Sequence, residues 1–243
     1  VGSSSASALA SPVPEDTIRM AFLRVDFLAD RGGSASSGTG RFNLDPADSV
    51  ANPVDRPPHN RAFYDSHGEA LARYYDVQSC GRVRLEVDVW PAESDSAYHL
   101  PDMADLGPWR FGSSIFRAAV TMMRDCFFAA DSQSIAKADR IPWAKYDRFM
   151  IIHAGSDLQS DIRSDSEEDI PSFTMFVDDT DRVIFPDSTN RERPIDRVAF
   201  IPETINQDEA FGALNGVIAH ENGHNLFGFG DVYDIETALP VVG

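Results

Sequence analysis

Apolar and polar residues along this chain fall into a series of short β-type and longer helical segments. Thr17 to Phe27 is almost continuously apolar and rich in β-branched and aromatic residues, which predicts a core strand. From His59 to about Gln78 the apolar positions Ala62, Phe63, Ala70, Leu71, Tyr74 and Tyr75 fall on one broad helical face. Arg82 to Pro91 alternates polar with apolar residues, so Val83, Leu85, Val87 and Val89 face inward on a half-buried strand that Pro91 ends. Ala92 to Pro108 reads as a loop, and Ile115 to Phe128 as a helix with Met122, Met123, Phe127 and Phe128 as core material. Tyr146 to Gly155 is a strand continuous enough at Phe149 to Ile152 to sit in the centre of a sheet. Ser172 to Val177 and Arg197 to Pro202 are two further short strands, separated by the polar stretch from Asp178 to Arg193. A last helix is expected over Val217 to Leu226. Strands separated by helices predict an α/β (α+β) fold, a mixed twisted sheet packed by helices.

Three stretches lack such periodicity. Residues 1–16 are rich in Ser, Ala and Pro and are expected to be flexible. Residues 30–58 form a long irregular stretch with Gly32-Gly33 and Pro57-Pro58, of a length usual for functional or mobile loops. Ser156 to Asp169 carries Asp157, Asp161, Asp165, Glu167, Glu168 and Asp169. Such carboxylates can hold Ca²⁺ through oxygen ligands, but EF-hand spacing is lacking and a solvated charge run is the plainer reading.

Composition narrows the function classes. Hydrophobic residues make up 42% and charged residues 25% of 243, as in globular proteins, and no run approaches the roughly 20 apolar residues of a membrane span. The formal charge of −18 argues against nucleic acid and anionic membrane surfaces as partners. Cys80 and Cys126 can form one bridge or remain two thiols, and the apolar helical setting of Cys126 favours a buried thiol there. The chain starts at Val1 without an initiator Met or a signal-peptide hydrophobic region. That fits a start left after removal of a targeting segment, or an engineered one, and gives the expectation of a secreted or extracellular protein.

The chemistry concentrates in Gly216 to Asp234. Within it, His220-Glu221-x-x-His224 places two imidazoles one helical turn apart on one face, the spacing that binds a single Zn²⁺. Glu221 is then the general base on a water. A catalytic zinc normally takes three protein ligands. Gly228 and Gly230 can turn the chain back after the helix, which makes Asp231 the expected third ligand, with Asp234, Glu236 and the strand-end His153 as competitors. His59 and His67 read as solvated or capping residues.

HExxH followed by glycine, an acidic residue and Asp-x-Tyr-Asp resembles the M6 (immune inhibitor A-like) metallopeptidases, with supporting landmarks at Val25-Asp-Phe27, Tyr74-Tyr75, Val89-Trp-Pro91, Ile152-His-Ala-Gly155 and Phe200-Ile-Pro-Glu203. The resemblance spans about residues 17 to 234. It implies a zincin-like fold in which residues 17–243 are a catalytic domain, with an active-site helix carrying His220, Glu221 and His224. The implied activity is a zinc endopeptidase acting on protein or peptide substrates, with Zn²⁺ on His220, His224 and Asp231. Tyr233 is then an oxyanion donor or a structural residue, and Arg197 to Pro202 the edge strand that pairs with substrate. Two departures stand out. Gly228 and Asp231 lie four and seven residues after His224, one further than the family pattern, and no methionine follows Met175 to form the usual turn beneath the zinc. The latter gives the expectation of a domain truncated at its C-terminus. A non-catalytic zinc- or substrate-binding module and a zinc hydrolase of a non-peptide substrate are the rival readings.

Overall fold

The computed structural model describes residues 17–27, 35–50, 53–100, 115–186 and 192–231. A sheet forms the centre, built from β1 (Thr17–Phe27), β2 (Arg84–Trp90), β3 (Tyr98–Leu100), β4 (Arg148–His153), β5 (Phe173–Phe176) and β8 (Arg197–Pro202). Its order is β2-β1-β4-β8-β5, with the short β3 pairing the far end of β1. All pairings are parallel except that of β5, which runs antiparallel to β8 and pairs Thr174 with Ala199. The sheet is therefore mixed.

Strand alternation sends side chains to two separate cores. On one face Ala21, Leu23, Phe149, Ile151, Val198 and Phe200 pack against α2 (Ile115–Ala136). On the other, Met20, Phe22, Met150, Ile152, Ala199 and Ile201 pack against α1 (Arg61–Gln78) and α3 (Leu214–Phe227). Because parallel neighbours need a crossover between them, α1 links β1 to β2 and α2 links β3 to β4. Among the described residues no helix is long and apolar enough to cross a membrane.

The structure departs from the expectations in several places. The stretch from Ala92 to Pro108 contains β3, a strand too short for its periodicity to register. The polar segment after β5 contains a hairpin, β6 (Val183–Pro186) with β7 (Glu192–Ile195), whose Val183, Phe185 and Ile195 join the α2-side core. Helix α2 runs on to Ala136 because its polar tail makes tertiary hydrogen bonds. Asp131 accepts from the Trp143 indole at 2.7 Å, and Gln133 brackets the His99 backbone at 3.0 and 2.9 Å. Cys80 and Cys126 are free thiols, one exposed and one buried, so the bridge is not formed.

The largest correction concerns the sheet's edge. Arg197 to Pro202 is β8, an interior strand between β4 and β5. Its Val-Ala-Phe-Ile-Pro run is buried on both faces, as suits a central strand. The edge on this side of the sheet is β5, which pairs with β8 alone among the described strands.

Candidate metal centre

Helix α3 lies across the C-terminal half of the sheet and is fastened at both ends. Its N-cap, Ala213, has no side-chain acceptor to offer. Asp55, buried and 159 positions earlier in sequence, supplies one, its Oδ2 accepting the Leu214 N–H at 2.9 Å. This meets one of the donors a helix start leaves open and sets a carboxylate at the positive end of the dipole. At the other end, the buried Asn225 donates its amide to the Phe149 carbonyl at 2.9 Å. The Asn225 carbonyl accepts from Arg148 Nε at 3.1 Å and Arg197 Nη1 at 3.2 Å, two cations at the negative end of the helix. Tyr75 of α1 donates to the Ala219 carbonyl at 2.8 Å, fixing the helix laterally.

The helix stops at Gly228, whose φ of 66° is the left-handed conformation that a Cβ would strain. Gly228 N–H donates to the His224 carbonyl at 2.8 Å and Phe229 N–H to the Gly223 carbonyl at 3.4 Å. Phe227 is the last helical residue. The chain then folds back, and the Phe229 carbonyl accepts a hydrogen bond from His224 Nδ1. That bond fixes the tautomer, leaving the His224 Nε2 lone pair to face the site.

Three donor atoms converge there. His220 Nε2 and His224 Nε2 are 3.1 Å apart, and Asp231 Oδ1 is 3.3 Å from each. Donors about 2.0–2.1 Å from a tetrahedral zinc stand roughly 3.3–3.4 Å from one another, so these atoms have close to the spacing a shared ion would require. They are also of the type zinc takes, two imidazole nitrogens and a carboxylate oxygen. His220, His224 and Asp231 therefore fit the metal that the sequence pattern implies. Their side chains are 45%, 16% and 33% exposed, which keeps one side of the cluster open to a ligand.

Glu221 lies beside the cluster in the gap between α3 and β5, with its Oε1 3.9 Å from His220 Nε2. Its carboxylate is buried, and the Thr174 hydroxyl lies 2.8 Å from both Glu221 Oε2 and the Glu221 carbonyl. Burial pushes the Glu221 carboxyl up to about 7, with Asp231 and Asp157 adding to the rise while Thr174 and His224 oppose it. A cleft of about 480 Å³ joins these groups, running from Gly216 and Val217 on α3 to Ser172 and to Phe173 and Phe176 on β5. Its floor includes Asp157, which is buried, accepts from Ser172 Oγ and Gln159 N–H, and is likewise pushed up by desolvation.

The other expected residues are distributed as follows. His153 is fully buried at the end of β4 and lies outside the three-donor cluster, with desolvation pulling its pKa down to about 4. Tyr233, Asp234 and Glu236 lie outside the described residues. His59 is neither solvated nor a cap. It is buried, and its two ring nitrogens reach Glu203 Oε1 at 2.6 Å and the Asp55 carbonyl at 3.0 Å. Burial opposes its charge, but the Glu203 carboxylate outweighs that and lifts its pKa above the ordinary histidine value. His67 is also buried, bonded through Nδ1 to Asn215 at the start of α3.

The acidic loop is not a uniform solvated run, since Asp157 and Asp169 are buried and hydrogen-bonded. Asp161, Asp165 and Asp208 do cluster. The oxygens of Asp161 accept the Asp165 and Ser166 amides, and Asp208 accepts the Arg163 amide, which accounts for the grouping without an ion.

Thr174 and Asp55 had no motif to announce them, and Asp157 stood out only as part of an acidic run; each is brought to α3 or its cleft by tertiary structure alone. No family model matches this chain, and no curated protein matches it.

Proposed function

We propose that this chain is the catalytic domain of a zinc-dependent endopeptidase with a zincin-like fold, akin to the M6 metallopeptidases. The observation that carries the reading is the convergence of His220 Nε2, His224 Nε2 and Asp231 Oδ1 to within 3.3 Å of one another, with a buried carboxylate on the next residue of the same helix. Zinc held there would supply Lewis acidity, lowering the pKa of a water toward about 7 and polarising a scissile carbonyl.

The remaining work falls to the chain itself. Glu221 accepts a proton from the attacking water and passes it to the leaving amine, so that the carbonyl carbon gains the hydroxyl and the nitrogen the hydrogen. Thr174 holds the carboxylate in one orientation, and burial gives it a basicity suited to both halves of that transfer. The Phe229 carbonyl keeps the His224 lone pair directed at the site. The side of β5 away from β8 runs along the cleft, and main-chain pairing at such an edge strand is the usual means of binding an extended peptide. This favours a peptide over a compact non-peptide substrate.

Metal analysis combined with a Glu221→Gln comparison on an unfolded protein substrate tests the reading. One zinc per chain is expected in both proteins, with cleavage lower by at least about 100-fold in the variant. Zinc without Glu221-dependent cleavage would leave a binding module, and failure to bind zinc would remove the enzyme altogether.

A further inference from the structure

A second cavity, of about 620 Å³, opens on the other side of β5 from the metal cleft. Its walls include Phe116 and Ala119 of α2, Leu158 from the acidic loop, Pro171 just after it, and Phe173 and Met175 of β5. None of its described lining residues is charged. Phe116 stands at its mouth with half its surface in water, an aromatic that nothing among the described residues covers. We propose that this cavity receives a large apolar side chain of the substrate, making it a specificity pocket on the sheet face opposite the metal. The inference rests on the peptidase reading for what occupies the edge.

The geometry follows from the pleat. Successive side chains of a strand point to opposite faces, and a strand added at an edge keeps the same alternation as its neighbour. Thr174 points toward α3, since its hydroxyl reaches Glu221. Phe173 and Met175 therefore point toward α2, and Phe173 stacks on Phe200 of the α2-side core with ring centroids 4.7 Å apart. In an extended peptide paired to β5, the residue opposite Thr174 faces the metal cleft. The residues before and after it face the second cavity.

The two clefts share Gln159, Ser172, Phe173, Thr174 and Phe176, so β5 is a common wall rather than a barrier between unrelated sites. A ligand that uses the strand edge and also fills the cavity has to be an extended chain with an apolar side chain. A free apolar molecule would satisfy the cavity but leave the edge unpaired. The described lining, apolar apart from Gln159, Ser172 and Thr174, offers a charged side chain no opposite charge to offset its desolvation.

The test uses the zinc-loaded Glu221→Gln protein and fluorescein-labelled ten-residue peptides of Ser-Ala background. Each peptide carries Phe, Leu, Gly or Asp at one position that is moved along the chain, and anisotropy reports binding. At the position that reaches the cavity, Phe and Leu should bind about 10- to 100-fold more tightly than Gly, the fold-change that burial of one such side chain supports. Asp should bind no better than Gly. Phe116→Ser, at a half-exposed position where folding is not at stake, should cut the Phe-to-Gly ratio by about tenfold; Ala119→Phe, which fills the cavity, should abolish it.

Equal affinity for Phe and Gly at every position overturns the proposal. So does a Phe preference that survives both substitutions. Binding of free apolar dyes without any peptide preference assigns the cavity to another ligand and overturns it as well. Cleavage by the unsubstituted chain is scored separately. Selective binding without cleavage keeps the pocket and removes the peptidase reading, whereas Glu221-dependent cleavage indifferent to the apolar residue does the reverse.

Discussion

Replacing Asp55 by alanine removes the only side-chain acceptor that the described residues bring to the start of α3. Leu214 is fully buried, so its N–H has no water to turn to once the Asp55 carboxylate is gone. Loss of a helix cap costs about 0.5–2 kcal/mol, and leaving a buried donor unpaired costs about 1–3 kcal/mol. The two figures describe largely the same N–H, so the expected destabilisation is about 2 kcal/mol rather than their sum. On a chain of this size that lowers Tm by about 4–8 °C. Asp55→Asn keeps an acceptor at the same place and loses only the interaction of charge with the helix dipole, about 0.3–1 kcal/mol. Thermal and urea unfolding of the two variants, each against the parent protein, gives the comparison. A change below about 0.5 kcal/mol for alanine refutes the remote cap, and equal damage from asparagine and alanine refutes the hydrogen bond as its cause.

Three further outcomes are expected. Asn225→Leu, close in shape, leaves the buried Phe149 carbonyl unpaired and should destabilise the protein by about 1–3 kcal/mol in urea unfolding; no shift in midpoint would show that this anchor is dispensable. Burial pushes the Asp169 carboxyl up to about 6, against the hydrogen bonds from Ser36 and Ser37. The folded state then holds that proton more tightly than the unfolded one, so the contribution is present below the unfolded-state pKa near 4 and is lost as pH rises through about 6. Relative to Asp169→Asn, the parent should lose about 2–3 kcal/mol between pH 4 and pH 7, and parallel stability curves would contradict the burial argument. A thiol reagent should modify Cys80 alone in the native protein and Cys126 only on unfolding, since Cys126 is fully buried and desolvation pushes its pKa well up. Fast labelling of both would place Cys126 nearer the surface than described.

What the sequence made legible was whatever is encoded locally. Strands β1 and β4 are long apolar runs that few other structures accommodate, and α1 carries a broad apolar face. The i, i+4 spacing of His220 and His224 becomes a shared direction as soon as the helix forms. Asp231 was reachable because Gly228 is the type of residue that ends a helix and reverses the chain. The misreadings have a common physical origin. β3 is three residues long and β6 and β7 four each, too short for alternation to stand out. β8 was assigned to the sheet's edge through the family pattern, although its own composition, apolar on both faces, is that of an interior strand. Thr174 meets Glu221 across 47 residues and Asp55 meets Leu214 across 159, and no local pattern records a contact made only by the finished fold.

The hydrogen bond from His224 to the Phe229 carbonyl ties two equilibria together. The turn at Gly228 prefers His224 with its proton on Nδ1, and a metal at Nε2 prefers the same tautomer. Whatever free energy the closed turn adds to metal affinity, an occupied site must return in full to the closure of the turn. Occupancy of the proposed metal site would then be legible from the backbone: amide exchange at Gly228 and Phe229 should slow on addition of zinc, and loosening that turn should weaken retention of the ion without altering any ligand. The end of α3 is in this sense a latch that the proposed metal and the fold would hold shut jointly.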